Sequence, residues 1–273
     1  MIYMLGSSHL ILLFETCGIG RDVLWQMFSG HAPAFLDLEL PPGILPQPTR
    51  IASIHGAHYG PYWGPLLAAQ TQPNVIAMAP GFRQLLESIE DEAGSSTLFV
   101  FMNGEEHYHM STTDHQPPCD FHIPWRPDLP ILPQRQVVPL EVVERLVAYY
   151  LTKAIANFVA IRSIQPKLRV VNVLCPPPVP EAQLTKVEAA SGEAMPSAAH
   201  PDSVRLKYYL LYAKALTEAT AKLNIETLSP PAAAVDAKGM IKPEYLLDNI
   251  HGNKRYADEV LAQMSELVRG QAR

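Results

Sequence analysis

Residues 139–174, PLEVVERLVAYYLTKAIANFVAIRSIQPKLRVVNVL, decide the fold class. In the first part Val143, Leu146, Val147, Tyr150, Leu151, Ile155 and Phe158 recur at helical spacing, and Pro139 suits the opening of a helix. That helix is predicted to run to about residue 164. Residues 168–174 then change pattern to a dense β-branched run, too short for a helix and stopped by Pro176-Pro177-Pro178. A long amphipathic helix feeding a buried strand is the unit of a parallel sheet covered on both faces.

The same alternation extends outward. Residues 2–5, 50–55 (RIASIH) and 97–102 (TLFVFM) read as buried strands, and 225–228 as a last one. Residues 80–92, with Phe82, Leu85, Leu86 and Ile89 in register, read as a helix, as do 202–223 and 256–268. The residues after the first strand suit the start of a helix, which Gly18 and Gly20 interrupt. The chain reads as a single α/β domain over 1–273, with a Pro-rich loop at about 111–135 and a lid-like insertion at about 179–201.

Composition narrows the function classes. Of 273 residues 48% are apolar, enough for a sizeable core, so general disorder is excluded. A net charge of −6 without any Lys/Arg cluster offers no surface for nucleic acid or an anionic membrane. No apolar run approaches the roughly 18 residues of a membrane span. The opening MIYMLGSSHLILLF has no basic residue before Arg21, a poor signal peptide and a good core strand. Cys17, Cys119 and Cys175 form no CxxC and read as small buried hydrophobes, so a reduced, cytoplasmic protein is expected. The 26 prolines are nearly twice the usual share of about 5%, and their clusters mark long stiff loops.

In open parallel sheets ligands bind beyond the carboxyl ends of the strands, so the residues there carry the chemistry. The first strand ends in Gly6-Ser7-Ser8-His9. A serine on that turn either caps a helix or presents its hydroxyl and backbone N–H together, as an acyl-transfer nucleophile must. Near the other end stands Asp248-Asn249-Ile250-His251. An Asp three residues before a His either forms a surface turn or orients the imidazole as a general base. The third strand ends in Asn103-Gly104-Glu105-Glu106-His107, a solvated loop or the rim of the same cleft.

Taken together, Gly-x-Ser after the first strand, Gly after the second, a polar block after the third and DxxH before the last helix resemble the SGNH (GDSL-type) hydrolases. The likeness is closest to the branch with GxSH in the first block and GNEH in the third. It implies a three-layer, flavodoxin-like α/β/α sandwich around a mostly parallel five-stranded sheet, hydrolysing a small-molecule ester without metal or cofactor. By matching motif, Ser8 would be the nucleophile, His251 the base and Asp248 its partner. The N–H groups of Ser8 and Gly56 (with Gly60 as runner-up) would hold the oxyanion. The third block departs from the family, because Glu105 stands where the family has an oxyanion-binding Asn. Glu106 and His107 match the rest of that block. A neutral Glu105 or a displaced Asn103 could serve instead; otherwise the chain is a weak enzyme or a silent ligand- or partner-binding module.

Other constellations stand beside this one. His55, His58, His107 and His109 follow predicted strands and could line a metalloenzyme site, although no HExxH accompanies them. Gly18-Ile19-Gly20 lacks the third glycine of a dinucleotide loop. Tyr59, Tyr62, Trp63 and Trp125 either wall a substrate pocket or pin the proline-rich loops.

Overall fold

The computed structural model describes residues 1–6, 8–15, 18, 19, 35–38, 40, 44–53, 67–69, 76–78, 80–91, 94–102, 110, 118–184 and 200–270. Its main sheet is built from β1 (Ile2–Gly6), β2 (Leu36–Leu38), β3 (Thr49–Ser53), β6 (Thr97–Phe101), β9 (Arg169–Val173) and β10 (Glu226–Leu228). The order across the sheet is β10-β9-β6-β1-β3-β2. All neighbours are parallel except β2, which pairs antiparallel with β3 at the edge. The five expected strands are thus the parallel ones, and β2 makes the sheet six-stranded. At three residues, β2 has no periodicity to read.

Counted in chain order, the parallel strands run 2-1-3-4-5 across the sheet, the flavodoxin-like order. Its switch point lies between β1 and β6, where the chain turns to opposite sides of the sheet. Alternating strand residues face two cores. Tyr3, Leu5, Leu98, Val100 and Val170 pack against α2 (Pro80–Glu87), α3 (Leu140–Ile164) and α4 (Asp202–Ala221). Ile2, Met4, Phe99, Phe101 and Val171 pack against α1 (Ser8–Glu15) and α5 (Lys254–Arg269). Helices on both faces make the three layers.

Several boundaries moved. The second strand is described to Ser53, and the second helix stops at Glu87. Gly18 does not interrupt α1 but follows its end, at φ 85°, a left-handed conformation that glycine adopts freely. Residues 67–69 and 76–78 form a small antiparallel pair, β4 (Leu67–Ala69) with β5 (Ile76–Met78).

The proline-rich loop carries more structure than its lack of periodicity predicts. Its β7 (Cys119–Asp120) pairs in parallel with β8 (Gln136–Val137), which directly follows the loop. Asp120 and Lys207 are both fully buried, with Nζ 2.8 Å from Oδ1. The Asp120 carboxylate also accepts from the N–H groups of Phe121 (2.7 Å) and Leu132 (2.8 Å), and Nζ donates to the carbonyl of Pro130 at 2.9 Å. A charge pair survives burial only when its remaining hydrogen-bonding capacity is met this way. The pair ties the loop to α4. Cys175 is buried as expected, whereas Cys119 is half-buried, its Sγ 3.9 Å from the Tyr208 hydroxyl. Most of the lid-like insertion (185–199), and Cys17, lie outside the described residues.

Candidate active site

Ser8 is the first residue of α1, directly beyond the end of β1 at the switch point. The entry is tight. A Cβ on Gly6 would lie 2.7 Å from Phe101 Cβ and 3.0 Å from Leu10 Cβ, so only glycine lets β1 turn into α1 against β6. As the first helical residue, Ser8 has a backbone N–H with no intrahelical acceptor, at the positive end of the helix dipole.

The partner comes from the opposite end of the chain. After β10, residues 229–245 fold back across the carboxyl edge of the sheet, where Ile241 N–H donates to the carbonyl of Pro178 at 3.1 Å. Leu246 and Gly252 then form an antiparallel bridge that closes a turn over 247–251. Inside that turn Asp248 Oδ1 accepts from the N–H groups of Ile250 (2.8 Å) and His251 (2.7 Å). With Oδ1 engaged, Oδ2 faces the ring of His251 at 2.7 Å from Nδ1. The other nitrogen, Nε2, lies 3.0 Å from Ser8 Oγ. Asn253 then caps α5, its Oδ1 accepting from the N–H groups of Arg255 and Tyr256.

Electrostatics fix the polarity of this chain. Burial pushes the Asp248 carboxyl up, but the hydrogen bond and charge of His251 and the two backbone N–H groups outweigh it and hold the acid below its ordinary range. An ionised Asp248 can only accept, so Nδ1 carries the hydrogen, and in the neutral ring Nε2 is the nitrogen left to accept from the Ser8 hydroxyl. His9 meets the His251 ring edge to face, with centroids 4.7 Å apart. The His251 side chain is 14% exposed and so keeps a path to solvent.

Ser8, Asp248 and His251 are therefore brought together. Gly56, Gly60, Asn103, Glu105 and His107 lie outside the described residues, as do His55, His58 and His109. Among the described residues no group of three or more His, Cys, Asp or Glu is placed to hold a metal ion. No described helix is long and apolar enough to cross a membrane. Sequence reading passed over Gly252 and Asn253, which hold the His251 turn. For Asn253 the signal is present in the sequence, since Asn before a periodic run marks a helix start.

Solved structures similar to the chain include a lipase, an acetyltransferase domain and an acetylesterase. The GDSL-like lipase from Bacteroides thetaiotaomicron is 10% identical, with 99% of this chain and 88% of that one covered and a TM-score of 0.40. The periplasmic domain of a lipopolysaccharide acetyltransferase from Salmonella ser. Paratyphi A is 9% identical, over 98% and 83%, at a TM-score of 0.44. Est24, a carbohydrate acetylesterase from Sinorhizobium meliloti, is 11% identical, over 99% and 98%, at 0.39. No protein-family model matches the chain, and no curated protein does.

Proposed function

We propose that the chain is a serine-dependent ester hydrolase of the SGNH type, working through an acyl-enzyme. The observation that carries this reading is the continuous chain from Asp248 Oδ2 to His251 Nδ1 (2.7 Å) and from His251 Nε2 to Ser8 Oγ (3.0 Å). As Ser8 Oγ attacks the ester carbonyl, His251 Nε2 takes its proton, and Asp248 stabilises the imidazolium that forms. When the tetrahedral intermediate collapses, Nε2 returns the proton to the leaving alkoxide and the ester bond breaks. Water then attacks the acyl-serine by the same steps in reverse roles, releasing the acid and restoring Ser8.

The oxyanion is held by the Ser8 N–H at the start of α1, with the N–H of Gly56 as the second donor. Glu105, or Asn103 in its place, completes the hole, and Glu105 serves only as the neutral acid, since a carboxylate would repel the oxyanion. By its motif position His107 is assigned to contact with the substrate.

Turnover of 4-nitrophenyl acetate tests the reading. Wild type hydrolyses it, while Ser8→Ala falls to background. Glu105 favours one second reading, a catalytically silent binding module of the same fold. Absence of turnover in wild type together with its appearance in Glu105→Asn would establish that module instead.

A further inference from the structure

The ring of His251 is held at both nitrogens, with Nδ1 2.7 Å from Asp248 Oδ2 and Nε2 3.0 Å from Ser8 Oγ. These two hydrogen bonds fix where the nitrogens lie, but they leave the ring free to tilt about the line joining them. The ring borders a narrow recess of about 30 Å³ between α1 and α5, walled by Leu13, Phe101 and Val260. Well-packed interiors leave few such gaps, so the core does not close over the imidazole there. His9 borders the same recess and meets the His251 ring at an interplanar angle of 63°, with centroids 4.7 Å apart. Edge-to-face contact at this separation is a favoured geometry for two aromatic rings. His9 follows Ser8 in the first turn of α1, so the helix that presents the nucleophile also carries the surface on which its base rests.

Resting on the proposed hydrolase reading, we infer that His9 is a positioning residue, its ring holding the His251 imidazole in the plane that aims Nε2 at Ser8 Oγ. The contact acts through the flat ring and not through a polar atom of His9. Without that ring the recess widens and the imidazole tilts into it. The hydrogen bond to Ser8 then weakens, and proton transfer slows with it. Acylation and deacylation both pass their proton through His251, so the two steps slow together. The loss therefore falls on kcat and leaves KM in place.

Three substitutions separate the ring of His9 from its polar atoms. His9→Phe keeps a flat ring, His9→Gln keeps a polar group, and His9→Ala keeps neither. With 4-nitrophenyl acetate, His9→Ala and His9→Gln are expected to lose about tenfold in kcat at unchanged KM, near the upper worth of an aromatic pair. His9→Phe is expected to stay within about twofold of wild type, because the edge-to-face contact survives. If His9→Gln retains kcat and His9→Phe loses it, a hydrogen bond of His9 does the work and the proposal is overturned. Equal loss in all three, loss in none, or a rise in KM at constant kcat overturns it too, while leaving the hydrolase standing. Should His9→Ala fail to fold, the other two variants decide. If wild type does not turn the ester over, the hydrolase reading fails, and the ring contact is judged by NMR of the protein with nitrogen-15-labelled histidines. A single Nδ1–H tautomer of His251 in wild type and His9→Phe, with mixed tautomers or broadened signals in His9→Gln, upholds the contact. Identical His251 spectra in all three overturn it.

Discussion

Gly252 lies against the ring of Tyr256 so closely that a Cβ at position 252 would sit 2.3 Å from Tyr256 Cγ. This contact lets α5 begin at Lys254, only three residues after His251, with Tyr256 buried beneath the turn that carries the imidazole. Gly252→Ala is expected to cost about 1–3 kcal/mol by overpacking. Its turnover should fall further than its stability, because Tyr256 and the His251 turn cannot both keep their places. Urea denaturation alongside ester hydrolysis measures both; equal, small effects would show that the turn tolerates the shift.

Asp248→Asn is expected to lower kcat by about 10⁴, since an amide no longer selects the Nδ1–H tautomer. The same variant carries a pH signature. The Asp248 acid is held below its ordinary range in the folded protein, so its contribution to stability is complete above about pH 4, where the unfolded acid is ionised. That contribution is lost as pH falls from there through the folded value. Wild type should therefore lose stability more steeply than Asp248→Asn below about pH 4, and the two curves should run parallel above it. The carboxylate is 38% exposed, so water moderates the size of the difference.

Lys207→Met should destabilise the fold by about 3–5 kcal/mol, because it strands a fully buried carboxylate. Adding Asp120→Asn should restore part of the loss. The neutral amide oxygen can still accept from the N–H groups of Phe121 and Leu132 without a buried charge. Chemical denaturation of the two variants decides; a double variant less stable than Lys207→Met would contradict this account of the loop anchor.

Asn253→Ala removes the α5 cap and the side-chain bonds to the carbonyls of Glu244 and Leu246. A loss of about 1–2 kcal/mol is expected. The loss should appear in thermal unfolding, with hydrogen exchange of the 247–251 turn accelerated beyond that of β1.

The long periodic segments were legible in the sequence. Val143, Val147, Leu151 and Phe158 on α3, and Val204, Tyr208, Leu211 and Leu216 on α4, are all buried. Ser8 and the Asp248–His251 pair stood out because each follows a recognisable start or stop signal. Lys207 did not, since a buried lysine reads as the polar face of α4 until Asp120, 87 residues away, is placed beside it. β2 also escaped, because an edge strand of three residues is defined by its partner β3 and not by its own pattern.

The central claim is that His251 activates Ser8 as a nucleophile. A fluorophosphonate probe, with the modified residue located by peptide mass spectrometry, addresses it most directly. Wild type should label at Ser8, with labelling lost in Ser8→Ala and slowed strongly in His251→Ala. Label on another residue, or label on Ser8 that survives unchanged in His251→Ala, would contradict it.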